Sequence, residues 1–110
     1  MNKIIAFSLF AASMLSFSTS ADILSDSASL GVNAGTMKYC STHFATKENK
    51  DNYNFLSVLL FRELNNLESG KIKAIAISKG IEDTGTYLGK PLTAKRCESL
   101  RKVLALRYLN

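Results

Sequence analysis

The chain has few of the residues from which metal and redox sites are built. It has two cysteines and a single histidine in 110 residues. A structural zinc site draws four ligands mainly from these two residue types, and only His43 is available to join Cys40 and Cys97. The cysteines also lack the Cys-x-x-Cys spacing that is typical of thiol redox proteins. We therefore expect no metal site and no cofactor.

Local motifs of catalysis are also missing. Gly80, Gly85 and Gly89 do not form a phosphate-binding loop that opens a helix, and no serine stands in a nucleophile-elbow pattern. Glu82 and Asp83 are adjacent in the chain, so their carboxylates are expected to diverge rather than share a space for acid–base work. The sequence predicts a protein that is not an enzyme.

The N-terminus has the pattern of a secretory signal peptide. Lys3 supplies a positive charge, residues 4–17 are apolar apart from three serines, and small residues at 19–21 suit cleavage before Asp22. The alternative is a retained membrane anchor, which needs about 20 continuous apolar residues. We predict removal of residues 1–21, a single domain over 22–110, and a bacterial protein that is periplasmic or secreted, without stable membrane insertion.

Export makes a structural disulfide the expected state of the two cysteines. Pairing Cys40 with Cys97 closes a long loop and should stabilise a small domain by about 4 kcal/mol. Two free thiols, a metal pair and a redox couple are the alternatives. His43 follows Cys40 by three residues, and an imidazole can activate a thiol. An oxidised cysteine offers no nucleophile, so we expect His43 to be a surface residue without a catalytic role.

Apolar residues recur at steps of three or four in several segments, as in amphipathic helices. A first helix is predicted over about 30–44 and a second from Asp51 or Asn52 to Asn66. Pro91 is expected near the first position of the last helix, where proline is tolerated. One stripe of that helix comprises Cys97, Leu100, Val103, Leu104 and Tyr108.

Residues 71–79 are ambiguous, because alanine and lysine favour a helix whereas isoleucine favours a strand. We predict a helix that ends at Gly80, followed by a surface turn over 82–86, with a short strand at 72–78 as the alternative. The predicted fold is all-α: a small bundle of about four helices, with one disulfide joining the first and last helices.

The second helix is apolar over most of its circumference. Its apolar surface is larger than three short neighbouring helices need for packing. We therefore predict an apolar partner groove around Phe55, Leu59 and Leu60.

The C-terminal segment is basic. From Lys90 onward the chain has six Lys and Arg and one acidic residue, Glu98. Lys95, Arg101 and Lys102 are candidates for a basic face that attracts anionic partners. The alternative is that these residues are simply the solvated side of an amphipathic helix.

Two resemblances extend this interpretation. Residues 25–29 and 33–40, the latter Asn-Ala-Gly-Thr-Met-Lys-Tyr-Cys, resemble the opening segment of the small exported enterobacterial proteins typified by YjjA. That uncharacterised family implies a fold and a compartment but no activity. Residues 89–97, with the spacing of the two cysteines, are similar to YacC and to pilotins of the PulS/OutS type.

The pilotin resemblance implies a helical bundle with a disulfide between its first and last helices. It also implies a groove that captures a helix from an outer-membrane secretion channel subunit. The present chain differs in lacking a lipidation cysteine and in its connector over 42–52.

We expect an exported, non-catalytic binding or accessory protein whose partner is another envelope protein. Nucleic acid is not expected as a partner, because the protein is exported and its basic face lacks interleaved aromatic residues. A pilotin-like accessory factor, a periplasmic stress chaperone and a toxin-immunity protein are the alternatives.

Overall fold

The computed structural model describes residues 26–109, and this part of the chain folds as four helices and one short hairpin. The predicted all-α bundle is confirmed, whereas the predicted signal peptide lies outside the described residues. The elements are α1 (Asp26–His43), α2 (Lys50–Asn65), α3 (Lys71–Thr84), β1 (Thr86–Tyr87), β2 (Lys90–Pro91) and α4 (Ala94–Tyr108).

A disulfide joins the first and last helices, as predicted. Cys40 lies near the end of α1 and Cys97 near the start of α4, with their Cα atoms 5.7 Å apart. Both residues are fully buried. The cysteines are therefore neither free thiols nor metal ligands in this structure.

The hydrophobic core lies mainly between α1 and α2, with smaller contributions from the other elements. Helix α1 supplies Leu30, Ala34, Met37 and Cys40, which recur at steps of three or four, and α2 supplies one continuous buried face. The remaining core residues are Tyr53, Leu56, Leu60, Leu64, Ala74, Leu92, Cys97 and Leu104.

Helices α1 and α3 run parallel and make backbone-level contact. A Cβ atom built on Gly31 would lie 2.5 Å from the carbonyl oxygen of Ala74, and one built on Gly35 would lie 2.5 Å from that of Ser78. Gly31 and Gly35 are four residues apart, and so are Ala74 and Ser78. One face of α1 therefore contacts one face of α3 along a full turn. Glycine is required at 31 and 35 because any side chain there would collide with backbone atoms.

The prediction that Gly80 ends the third helix is wrong, and so is the alternative strand at 72–78. The helix continues through Gly80 to Thr84 and ends at Gly85, whose φ of 68° suits glycine. A single glycine weakens a helix by only about 1 kcal/mol, so packing decides the outcome. Ala74 and Ser78 are buried whereas Ala76 between them is exposed, which fits a helix but not a strand, where all three would share one face.

The predicted placement of Pro91 at the start of the last helix is also wrong. Pro91 lies in β2, paired with Thr86, and the helix begins at Ala94. Thr93 caps it, since its side-chain oxygen accepts a hydrogen bond from the Arg96 N–H at 3.1 Å. The hairpin between the two strands turns at positions 88 and 89.

The bounds of the first two helices also differ slightly from those predicted. α1 starts at Asp26, four residues earlier than expected, and α2 starts at Lys50 with Asn49 rather than Asp51 or Asn52 before it. Within residues 26–109 no helix is both long enough and apolar enough to cross a membrane.

Gly35→Ala should lower the free energy of unfolding by about 2 kcal/mol, because the added methyl group meets the α3 backbone, which cannot rotate away. Gly80→Ala provides a matched control, since no atom lies within 4 Å of a Cβ at that helical position. It should instead stabilise the protein by about 0.5–1 kcal/mol. Urea unfolding followed by circular dichroism measures both, and equal effects of the two variants would contradict the close contact.

Thr36→Val should stabilise the protein by about 1 kcal/mol. Thr36 is 1% exposed, and its hydroxyl makes no hydrogen bond in the structure. Valine keeps the side-chain shape and removes the unsatisfied polar group. Thr36→Ser keeps the hydroxyl and removes the methyl group, so it should be destabilising in the same assay. A destabilised Thr36→Val variant would show that the hydroxyl has a partner.

Candidate functional site

A hydrogen-bond cluster around Glu98 fixes the start of α4 against the start of α2. The Oε2 atom of Glu98 accepts hydrogen bonds from Asn49 Nδ2, Tyr53 Oη and Arg101 Nε, each at 2.9 Å. The Oε1 atom accepts a further bond from Arg101 Nη2 at 2.7 Å. Glu98 therefore satisfies donors from both helices, with Arg101 bound in the bidentate geometry that suits a carboxylate.

Arg101 extends the cluster and is not available as a free surface cation. Its Nη1 atom donates to Asn52 Oδ1, and its guanidinium carbon lies 5.8 Å from the centre of the Tyr53 ring. Of the residues predicted to form a basic face, only Lys95 and Lys102 are exposed. Arg101 therefore has to be removed from the predicted basic face, because its charge is compensated by Glu98.

The cluster shifts the ionisation of its members. Hydrogen bonds from Arg101, reinforced by Tyr53 and Asn49, lower the pKa of Glu98 to about 2, against the partial burial that opposes the shift. Burial, together with the hydrogen bond to the Glu98 carboxylate, raises the pKa of Tyr53 well above its ordinary value. The same carboxylate raises the pKa of Arg101. The charged pair and the neutral phenol are thus the stable forms over a wide pH range.

The same contacts set α2 and α4 side by side in parallel. Asn49 and Tyr53 donate hydrogen bonds to Glu98, and Asn52 accepts one from Arg101. Asn52 follows Asn49 by three residues, and Arg101 follows Glu98 by three residues, so the two helices run in the same direction. Residues that follow Asn52 and Arg101 on these faces consequently border one shared depression.

We call this depression the α2–α4 groove. Its α4 side is an open hollow of about 310 Å³ that is more apolar than polar. On α2, Phe55 and Leu59 lie three and seven residues after Asn52 and so border the same side. The hollow itself is lined by Arg101, Lys102, Ala105, Leu106 and Leu109 of α4. We infer from their spacing after Asn52 that Phe55 and Leu59 of α2 lie beside it.

The structure therefore changes the residues of the predicted partner groove. Phe55 is 54% exposed and Leu59 is half-buried, so both are accessible from the groove. Leu60 is fully buried in the core and cannot border it. On a helix Leu60 points about 100° away from Leu59, toward α1 rather than outward.

Exposed charges flank the groove. Arg62 follows Leu59 by three residues on α2, and Lys102 stands on the opposite wall. Asp51 precedes Phe55 by one turn, at the end of the groove near the Glu98 cluster. Of these charges, Lys102 lines the hollow itself, whereas Arg62 and Asp51 are placed beside it by their spacing on α2.

The second candidate, around His43, contains no nucleophile. The Cys40 sulfur is bonded to Cys97, and the His43 ring lies against Tyr39 with a centroid distance of 4.2 Å. A surface hollow of about 210 Å³ beside them also reaches Glu82 and Asp83. Asp83 pairs with Lys79 at 3.5 Å, and Glu82 accepts a hydrogen bond from Ser78. The described residues contain no cluster of His, Cys, Asp or Glu placed to hold a metal ion.

Comparison of the chain with protein families, with curated proteins and with solved structures gives no match. The resemblances drawn from short segments of the sequence therefore remain predictions. The site has to be interpreted from its own geometry.

Sequence reasoning missed the Glu98 cluster. Glu98 drew attention only as the one acidic residue in a basic segment, although its spacing of three from Arg101 is typical of a helical ion pair. Asn49 and Asn52 gave no signal at all, because their role depends on α4 returning to the start of α2.

The Glu98 cluster predicts a loss of stability in acid. A carboxyl group whose pKa falls from 4.5 to about 2 on folding stabilises the folded state above pH 4.5 and loses this contribution as the pH falls to 2. The Glu98 side chain is partly exposed, and solvent screens its interactions. We therefore expect the free energy of unfolding to fall by about 2 kcal/mol over this range.

Urea unfolding between pH 6 and pH 2 measures this contribution through the difference between wild type and Glu98→Gln. The difference should shrink toward pH 2, because the variant lacks the titrating group. Glu68→Gln, at an exposed position outside the cluster, serves as the control. A difference that stays constant across the range would contradict the role assigned to Glu98.

Proposed function

We propose that this chain is an exported, non-catalytic binding protein that accepts an apolar helical segment of another envelope protein in its α2–α4 groove. The observation that carries the proposal is the row of solvent-exposed apolar side chains along two parallel helices. Phe55 is 54% exposed, and Leu106 on the facing helix is 68% exposed.

A helix is the segment that fits this surface best. Two parallel helices present a long shallow channel, and a third helix can lay one apolar stripe into such a channel with anchors at helical spacing. The exposed groove residues Lys102, Leu106 and Leu109 recur at steps of four and three along α4. Arg62 and Lys102 on the two walls favour acidic residues at the edges of the incoming helix.

The walls of the groove are held in place before a partner binds. The disulfide anchors α4 to α1, and the Glu98 cluster anchors α4 to α2. A preformed groove reduces the ordering cost of association. The disulfide is also consistent with an exported protein, since such bonds persist in oxidising compartments.

A pilotin-like accessory role is the specific form of this proposal that we favour. Two observed features support it: the disulfide between the first and last helices and an apolar groove beside the last helix. Both are features that the sequence resemblance implies.

Site-specific photo-crosslinking in intact cells tests the groove. A photoreactive phenylalanine analogue at position 106 should capture a defined envelope protein, whereas the same analogue at position 72 should not. Ile72 is 86% exposed but lies on α3, away from the groove. Mass spectrometry identifies the adduct and reports whether the recovered chain begins at Asp22.

Leu106→Asp should reduce recovery of that partner at least tenfold, since a carboxylate in an apolar contact loses more than about 1.4 kcal/mol of binding free energy. Ile72→Asp should leave recovery unchanged. Both variants should unfold at the wild-type urea concentration, because neither position is buried. Equal recovery with Leu106→Asp and Ile72→Asp would dismiss the groove as the binding surface.

A further inference from the structure

The hairpin that precedes α4 carries a leucine where the backbone favours asparagine or glycine. Leu88 has a φ of 53° and Gly89 a φ of 81°, so both turn residues have left-handed backbone conformations. Leu88 is the one residue other than glycine with a positive φ among residues 26–109. Two-residue hairpin turns of this kind prefer Asn-Gly, because a branched apolar side chain is strained at the first position.

The side chain of Leu88 makes no core contact that would compensate for this strain. The Leu88 side chain is 68% exposed, so it adds little to the core. The short strands that it joins, Thr86–Tyr87 and Lys90–Pro91, form a single two-residue pairing. An exposed leucine at the tip of a strained turn is therefore best explained by something outside the domain that covers it.

Cations surround the tip. Lys90 is paired with Tyr87 across the hairpin, and the Arg96 guanidinium lies 5.3 Å from the centre of the Tyr87 ring. Arg96 also donates to the carbonyl oxygen of Pro91, which holds it beside the hairpin. Lys95 is exposed next to it. The nearest carboxylates in sequence, Glu82 and Asp83, are each engaged within α3.

A single apolar tip with two cations beside it, Lys90 and Arg96, fits an anionic lipid surface better than a protein. A protein partner needs a broad contact area for stable binding, and a two-residue tip does not provide one. A bilayer needs only an apolar group that enters the interface, an aromatic residue at headgroup depth, and cations near the phosphates. Leu88 supplies the apolar group and Lys90 and Arg96 supply the cations, and the Tyr87 ring, which packs partly against the core, lies beside Arg96.

We propose that the Leu88 hairpin is a membrane-contact element that inserts reversibly into the surface of an anionic bilayer. Each cation near the surface should strengthen binding about fivefold, and insertion of the leucine should add roughly tenfold or more. Binding is consequently weak and salt-sensitive. It uses none of the residues assigned to the α2–α4 groove.

Sedimentation of the exported, oxidised protein with lipid vesicles tests this proposal. The protein should bind vesicles that contain phosphatidylglycerol, should bind pure phosphatidylcholine vesicles at least tenfold more weakly, and should be released by high salt. Lys90→Gln should lower binding to the anionic vesicles about fivefold.

Leu88→Asn separates a binding role from a structural one. Asparagine suits the turn, so the variant should be as stable as wild type or more stable, while its binding to anionic vesicles falls at least tenfold. Ile72→Asn is the control, because Ile72 is an exposed apolar residue on α3 that lies outside both the hairpin and the groove, and it should bind as wild type does.

Three results would overturn the proposal: no binding of wild type to anionic vesicles, equal binding by Leu88→Asn, or equal losses in Leu88→Asn and Ile72→Asn. A photoreactive group at position 88 that captures a protein rather than lipid would also overturn it.

Discussion

The disulfide between Cys40 and Cys97 is the constraint on which the arrangement of the last helix depends. Helix α4 buries only Cys97 and Leu104 completely, which is little apolar area for a helix of fifteen residues. The bond closes a sequence separation of 57 residues and should contribute about 4 kcal/mol by restricting the unfolded chain. Glu98, the next residue, then lies within reach of Asn49 and Tyr53.

Helix α1 organises the rest of the bundle by using a different face for each neighbour. Its glycine face admits the α3 backbone at Ala74 and Ser78, its apolar stripe packs against α2, and Cys40 ties it to α4. Because α3 packs chiefly against α1, the outer face of α2 is left without a helix to cover it. The α2–α4 groove is a direct consequence of this arrangement.

The candidate site could be predicted only in part from the chain. The surplus of apolar residues on α2 drew attention to Phe55 and Leu59, which are accessible to solvent, but it also included Leu60, which is buried in the core. A run of apolar residues does not reveal which of its members face a neighbour when the helix is apolar nearly all round. Leu106 and Leu109 were missed because nothing local shows that α4 lies beside α2.

The sequence by itself determined the helical class, the approximate helix positions and the pairing of the cysteines. These follow from periodicity over a few turns and from there being a single possible partner for each sulfur. Only the tertiary structure decided that Gly80 continues a helix, that Arg101 is neutralised by Glu98, and that the start of α4 lies beside the start of α2. Each of these outcomes depends on residues far apart in the chain, whose contacts exist only after the helices have packed.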